Sequence, residues 1–359
     1  MLFRSRVGSP QTFFERNITG LKGLLPFVQY SLQANEIDVD RTFATYLRAA
    51  RLREELRLNI IREVASELLE GLLRKGILPI LLRGYPLAET IYPEPYLRHC
   101  HGLHILVQDV AEAVRAVGSK FTRVACPIFT AQGVLLKHSS RLPVAMSSRL
   151  VQIPGNDRLT TLARSRAVFA ELATPGVRRL TAADAFVDIC ANAALSSGRS
   201  NLRWVVDAML LLRSTPPSAW ALILDAVASS RVALALLHMV EYLRHALDAA
   251  ISREMVEQVN DLALTSDPVA LDALLLAARR GSRERFSNIM EALPDRRSRL
   301  RLIRALVLPR LSLLRWAYPN LPEPLAPTLY LWHPMSLALR RMHGPKPISD
   351  DLVSERLRA

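Results

Sequence analysis

The sequence predicts a two-part protein, an α/β half followed by an all-α half. Three observations carry that reading. Two short apolar runs, residues 77–82 and 103–107, have strand length and are set off by Gly and Pro. A strongly helical stretch, residues 41–75, stands directly before them. From Thr181 onward the chain turns to Ala- and Leu-rich segments of helical length.

Taken in order, residues 1–40 read as a loosely patterned helical cap, with a short helix near 14–33. In 41–75, Leu56, Ile60, Val64, Leu68 and Leu72 recur every four residues with charges between them, and Gly76 terminates the helix. The run from Ile77 to Leu82 ends in Arg83-Gly84, a strand turning into a helix that Pro93 and Pro95 stop. Residues 109–118 form a helix with Val110, Ala113, Val114 and Val117 on one face, and Asp109 and Glu112 favour its N-terminus. Residues 121–129 and 133–138 are strand-like. The Arg- and turn-rich stretch 150–180, punctuated by Pro154-Gly155 and Pro175-Gly176, is the expected junction. Beyond it Thr181 caps a helix through Ala194, and further helices follow over 219–247, 254–263, 268–279 and 283–293. The domain expectation is a cap at 1–40, an α/β core at 41–150, an all-α domain at 151–344 and a frayed, disordered tail at 345–359.

Composition bounds the function classes. The formal net charge is +14, carried mainly by Arg, which favours an anionic partner without naming one. No helix-turn-helix or RNA-recognition signature accompanies the charge, so a nucleic-acid role is not expected. The basic C-terminal segment with Trp316, Tyr318, Tyr330 and Trp332 could meet a membrane surface, but Arg and Leu at helical spacing more often make an ordinary solvated helix. Cys100, Cys126 and Cys190 are few and scattered, which suits a reducing cytoplasm, and neither a signal peptide nor a transmembrane span is legible.

The stretch around 77–107 resembles the uncharacterised nucleotidyltransferase family often found in bacterial biosynthetic gene clusters, within the DNA polymerase β-like superfamily. The likeness rests on the apolar strand, Gly84, Leu87-Ala88, Tyr92, Arg98 and Ile105-Leu106-Val107, and on Leu202-Arg203-Trp204-Val205-Val206-Asp207. It implies a small mixed nucleotidyltransferase-type sheet flanked by helices and joined to a larger all-α half. The family carries Lys-Gly and then Asp-apolar-Asp. Here Arg83 replaces the Lys, and Gly102 and His104 stand where the aspartates belong.

Residues two apart on a strand share a face, so an Asp-x-Asp pair can hold the Mg²⁺ that clamps the oxygens of nucleotidyl transfer. Gly102 has no side chain, and an imidazole at His104 suits softer metals. His138 matches a family His, but no acid accompanies it in Val134-Leu135-Leu136-Lys137. The neighbouring His99, Cys100 and His101 lack the spacing to converge on zinc with His104 and read as a hydrogen-bonding loop.

Arg83 with Gly84 could grip a phosphate, or Gly84 could merely permit the turn. Arg98 would pair with Glu89 or Glu94, or add positive charge to the cleft. Trp204 and Asp207, on one helix face beside Arg203, would lean over the cleft or clamp two helices. The expected ligand cleft is therefore Arg83, Gly84, Arg98, Gly102, His104, His138, Arg203, Trp204 and Asp207, with no catalytic or metal-binding residue and no cofactor. The expected function is non-catalytic: a binding or accessory protein for a peptide, a biosynthetic intermediate or a pathway enzyme. The alternative is an active nucleotidyltransferase using nucleotide, Mg²⁺ and acids from elsewhere in the chain.

Overall fold

The computed structural model describes residues 22–124, 133–151, 156–172, 174–195, 202–265, 300, 311, 322–332 and 335. Its contacts divide the chain into two compact units, Met1–Arg285 and Phe286–Ala359. In the second unit a 3₁₀ turn covers Glu323–Thr328, with Leu329 buried behind it. The helices expected over 268–279 and 283–293, most of the basic C-terminal segment and the tail at 345–359 lie outside the described residues.

The first unit opens with α1 (Leu25–Ala34) packed on the N-terminal turns of α2 (Arg41–Leu73) through Leu25, Phe43, Leu47 and Ala50. Asp40 caps α2 by accepting from the Phe43 amide at 3.0 Å. The strands and helices that follow are β1 (Ile80–Leu82), α3 (Gly84–Thr90), β2 (Leu103–Leu106), α4 (Val110–Ala116), β3 (Phe121–Val124), β4 (Gly133–His138) and β5 (Pro143–Ser147). Asp109 caps α4 through the Ala111 and Glu112 amides. Next come α5 (Asp157–Arg166), β6 (Val168–Phe169), β7 (Arg178–Arg179), α6 (Ala182–Leu195), α7 (Arg203–Ser214), α8 (Trp220–Ala228), α9 (Ala233–Leu247) and α10 (Arg253–Thr265).

One mixed sheet runs in the order β3-β4-β5-β2-β1-β7-β6. β2 lies antiparallel to β1 and parallel to β5. The sheet does not stop at residue 150, because β7 pairs with β1 and β6 with β7. Two-residue strands leave no alternation to read, which is why 150–180 looked like a junction.

Alternation gives the sheet two different faces. Leu81, Leu103, Ile105, Val144 and Met146 join Ile61, Val64, Ala65, Leu68 and Leu72 of α2 in one core. His104 and its cross-strand neighbours Leu82 and Ala145 lie on the opposite face. The α2 stripe differs in part from its expected course: Val64, Leu68 and Leu72 are buried, but Leu56 is 67% exposed and Ile60 43%. A spacing of four residues overshoots a helical turn by about 40°, so a strict every-fourth pattern winds off the buried face.

Candidate functional site

The turn from β1 into α3 is made at Arg83, not at Gly84. Arg83 has φ 58° and ψ −134°, a conformation that L-residues rarely adopt. Its side chain holds that turn in place. Nε donates to Asp188 Oδ2 at 3.0 Å, Nη2 to Asp188 Oδ1 at 3.2 Å, and Nη2 also reaches the Leu150 carbonyl at 3.4 Å. Asp188 sits on α6 with its side chain only 1% exposed, and Asn192 Nδ2 donates to it at 2.7 Å. Burial pushes the Asp188 carboxyl upward and the Arg83 guanidinium opposes that. Gly84 is favoured for a different reason: a Cβ there would come within 3.2 Å of Cys100 Sγ, a tight contact that the thiol would have to yield to.

Arg98 makes the second pair. Its Nε and Nη2 each donate to Asp207 at 2.7 Å, and Tyr92 Oη donates to the same Asp207 Oδ1 at 2.7 Å. The Arg98 and Asp207 side chains are 11% and 3% exposed. Burial lowers the Arg98 pKa but Asp207 outweighs it, so the guanidinium is held more firmly charged than usual. Neither Glu89 nor Glu94 pairs with Arg98; Glu89 accepts instead from Arg62 at 2.8 and 2.9 Å. The reason is geometric, since Glu89 lies on α3 facing α2 while Asp207 closes over Arg98 from α7.

The two positions of the expected carboxylate pair lie between these arginines. A Cβ on Gly102 would stand 2.2 Å from the Pro143 carbonyl oxygen and 2.8 Å from Pro143 Cγ. Gly102 directly precedes the first paired residues of β2 and β5, Leu103 and Val144. The two chains converge there so closely that any side chain at Gly102 is excluded. His104 is neutral: burial, then Arg83 and Arg98, pull its pKa down to about 3.

Mg²⁺, which the nucleotidyltransferase chemistry implies, does not fit this donor set. Gly102 supplies nothing, His104 supplies an imidazole nitrogen, and the flanking Leu82 and Ala145 supply no oxygen. Asp188 and Asp207, which reach the flanking arginines, are each held by two bonds, from Arg83 and Arg98 respectively. Among the described residues no cluster of three His, Cys, Asp or Glu side chains could hold a metal ion.

The remaining candidates scatter. His138 is not beside His104, because β5 separates β4 from β2. It bonds Ser140 Oγ at 2.8 Å, approaches Glu67 of α2 at 3.5 Å and packs on Phe121. Trp204 turns to Tyr242 of α9, ring centroids 5.8 Å apart, while Asp207 turns to Arg98. Arg203 donates to the His99 carbonyl at 3.5 Å, its pKa lowered to about 10 by burial and then by Arg98. The His99–His101 loop does form hydrogen bonds: His99 Nδ1 meets Glu54 Oε2 at 2.6 Å and His99 Nε2 meets His101 Nδ1 at 3.3 Å.

Sequence reasoning missed Asp188, Tyr92 as a hydroxyl donor, and Pro143. Asp188 had a signal. An acid at the centre of the apolar run Ala185-Phe186-Val187-Asp188-Ile189-Cys190 requires a buried cationic partner.

A mixed sheet with Gly102 at the entry to its second strand and His104 on that strand, flanked by Arg83 and Arg98, to which α6 and α7 are tied through Asp188 and Asp207, defines a nucleotidyltransferase-like protein. The chain belongs to the uncharacterised nucleotidyltransferase family, whose family model matches residues 18–248. No curated protein shows significant similarity to it. Among the described residues no helix is long and apolar enough to cross a membrane.

Proposed function

We propose that this chain is a degenerate nucleotidyltransferase-like protein that acts by binding, as an accessory protein in a biosynthetic pathway, and does not transfer nucleotides. The observation that carries this reading is the contact at Gly102. The position of the first family carboxylate faces the Pro143 carbonyl at a distance that admits no Cβ. A carboxylate lost by simple substitution would leave room for a side chain, whereas here the backbone of β5 fills it. The two arginines that flank the position support the same reading. Arg83 and Arg98 are neutralised by Asp188 and Asp207, so neither is free to take up a triphosphate without breaking a buried pair. The partner under this reading is a peptide, a pathway intermediate or a pathway enzyme, located in the cytoplasm.

Titration calorimetry of the full chain with ATP, with and without Mg²⁺, tests the proposal. We expect no Mg²⁺-dependent ATP binding at millimolar nucleotide. Tight binding that requires Mg²⁺ would restore the enzyme reading, with oxygen ligands drawn from elsewhere in the chain.

A further inference from the structure

We propose that the outer face of α2 is a self-association surface, on which a second copy of this chain lays its own α2 antiparallel. Among the described residues the face has no partner, and it is apolar at its centre. Leu52, Leu56 and Ile60 are 59%, 67% and 43% exposed and lie on successive turns of one side, extended by exposed Ala49 and Thr45. Single exposed leucines need no explanation, but a stripe of three along the longest helix of the described chain does. At 1.5 Å per residue the stretch from Thr42 to Glu70 spans about 40 Å, ample for a helix–helix seam.

The charges select the occupant and its direction. Arg41 and Arg48 are seven residues apart and exposed on the N-terminal half of this face. Glu63 and Glu70, also seven apart and exposed, lie on its C-terminal half. A spacing of seven keeps each pair in line along a seam. An antiparallel two-fold pairing about Leu56 sets Leu52 against Ile60 of the other copy, brings Arg48 beside Glu63, and Arg41 beside Glu70. Both cross-pairs fall on the same flank of the seam. A parallel pairing would set Arg on Arg and Glu on Glu. Among the described residues no ion pair involves Arg41, Arg48, Glu63 or Glu70, although Glu70 accepts from Ser66 Oγ at 2.8 Å. The face thus carries its own electrostatic complement, which favours a second copy over an unrelated partner.

Sedimentation equilibrium of the full chain tests this. The expected result is a reversible dimer in the micromolar range, with Leu56→Arg weakening it by more than about tenfold. Leu56 is mostly exposed, so the variant should keep its circular dichroism and thermal midpoint. Arg48→Glu and Glu63→Arg should each weaken the dimer, and the double variant should restore it. A monomer at about 100 µM, or a dimer indifferent to Leu56→Arg, would overturn the proposal. Failure of the double charge swap to rescue would overturn the antiparallel pairing.

Discussion

Gly102 and Arg83 shape the face of the sheet that bears His104. At Gly102 the smallest possible side chain already collides with a backbone oxygen, and a carbonyl of a paired strand cannot rotate aside as a side chain can. Gly102→Ala should therefore destabilise the fold by about 1–3 kcal/mol, the usual cost of overpacking, measured by urea unfolding. An Ala variant as stable as the parent would mean that β5 yields easily, and the seat would then be only vacated. Arg83 shows why its position was ambiguous in the sequence. Arg-Gly after an apolar strand suggests that Gly takes the unusual backbone angles, since only Gly does so without strain. Instead Arg83 takes them and is held by two bonds to Asp188 and one to Leu150, while Gly84 makes room for Cys100.

At the scale of elements, the helical half is fastened to the sheet by two buried ion pairs. Asp188 on α6 reaches Arg83 at the end of β1, and Asp207 on α7 reaches Arg98 before β2. Burying such charges costs solvation, so the pairs are better understood as fixing the register of α6 and α7 on the sheet than as net stabilisers. Asp207→Leu should cost about 3–5 kcal/mol, because it strands a guanidinium in the interior. Arg98→Met with Asp207→Leu should cost much less than the single change. Chemical denaturation of the parent, both single variants and the double closes that cycle, and additive losses would show that the pair is not coupled. Part of this arrangement was legible beforehand. The Arg98 and Leu202–Asp207 motifs flagged both partners of one pair, and Thr181 and Asp109 were readable as caps. Asp188 lies 105 residues from Arg83, and no local pattern encodes a contact at that separation. Likewise β5, β6 and β7 escaped notice because a short strand at Pro143–Ser147 and two-residue strands have too few alternations to stand out.

At the scale of the whole molecule, the sheet and its order set what the fold can do. The face of β2 opposite α2 carries Gly102 and His104, and its neighbours there are Leu82 and Ala145. Restoring aspartates at both β2 positions would not rebuild a cation site by itself, since β5 would first have to move away from Gly102. The basic charge of +14 is spread over the whole chain, and the two arginines flanking this face, Arg83 and Arg98, are matched by Asp188 and Asp207, so the net charge does not single it out as an anion site. The family likeness matches a His, without its acid, at residues 134–138, on β4. The sheet order places β5 beside β2 instead, a distinction that only strand pairing can make.

Under the proposed function no hard divalent cation sits beside His104. Paramagnetic Mn²⁺ added with ATP to the full chain, observed through the imidazole resonances of labelled histidines, tests it most directly. The His104 signals, assigned by a His104→Gln variant, should stay as sharp as those of His138 at stoichiometric Mn²⁺. Selective broadening of His104 at substoichiometric Mn²⁺ would place a cation in the seat and contradict the account.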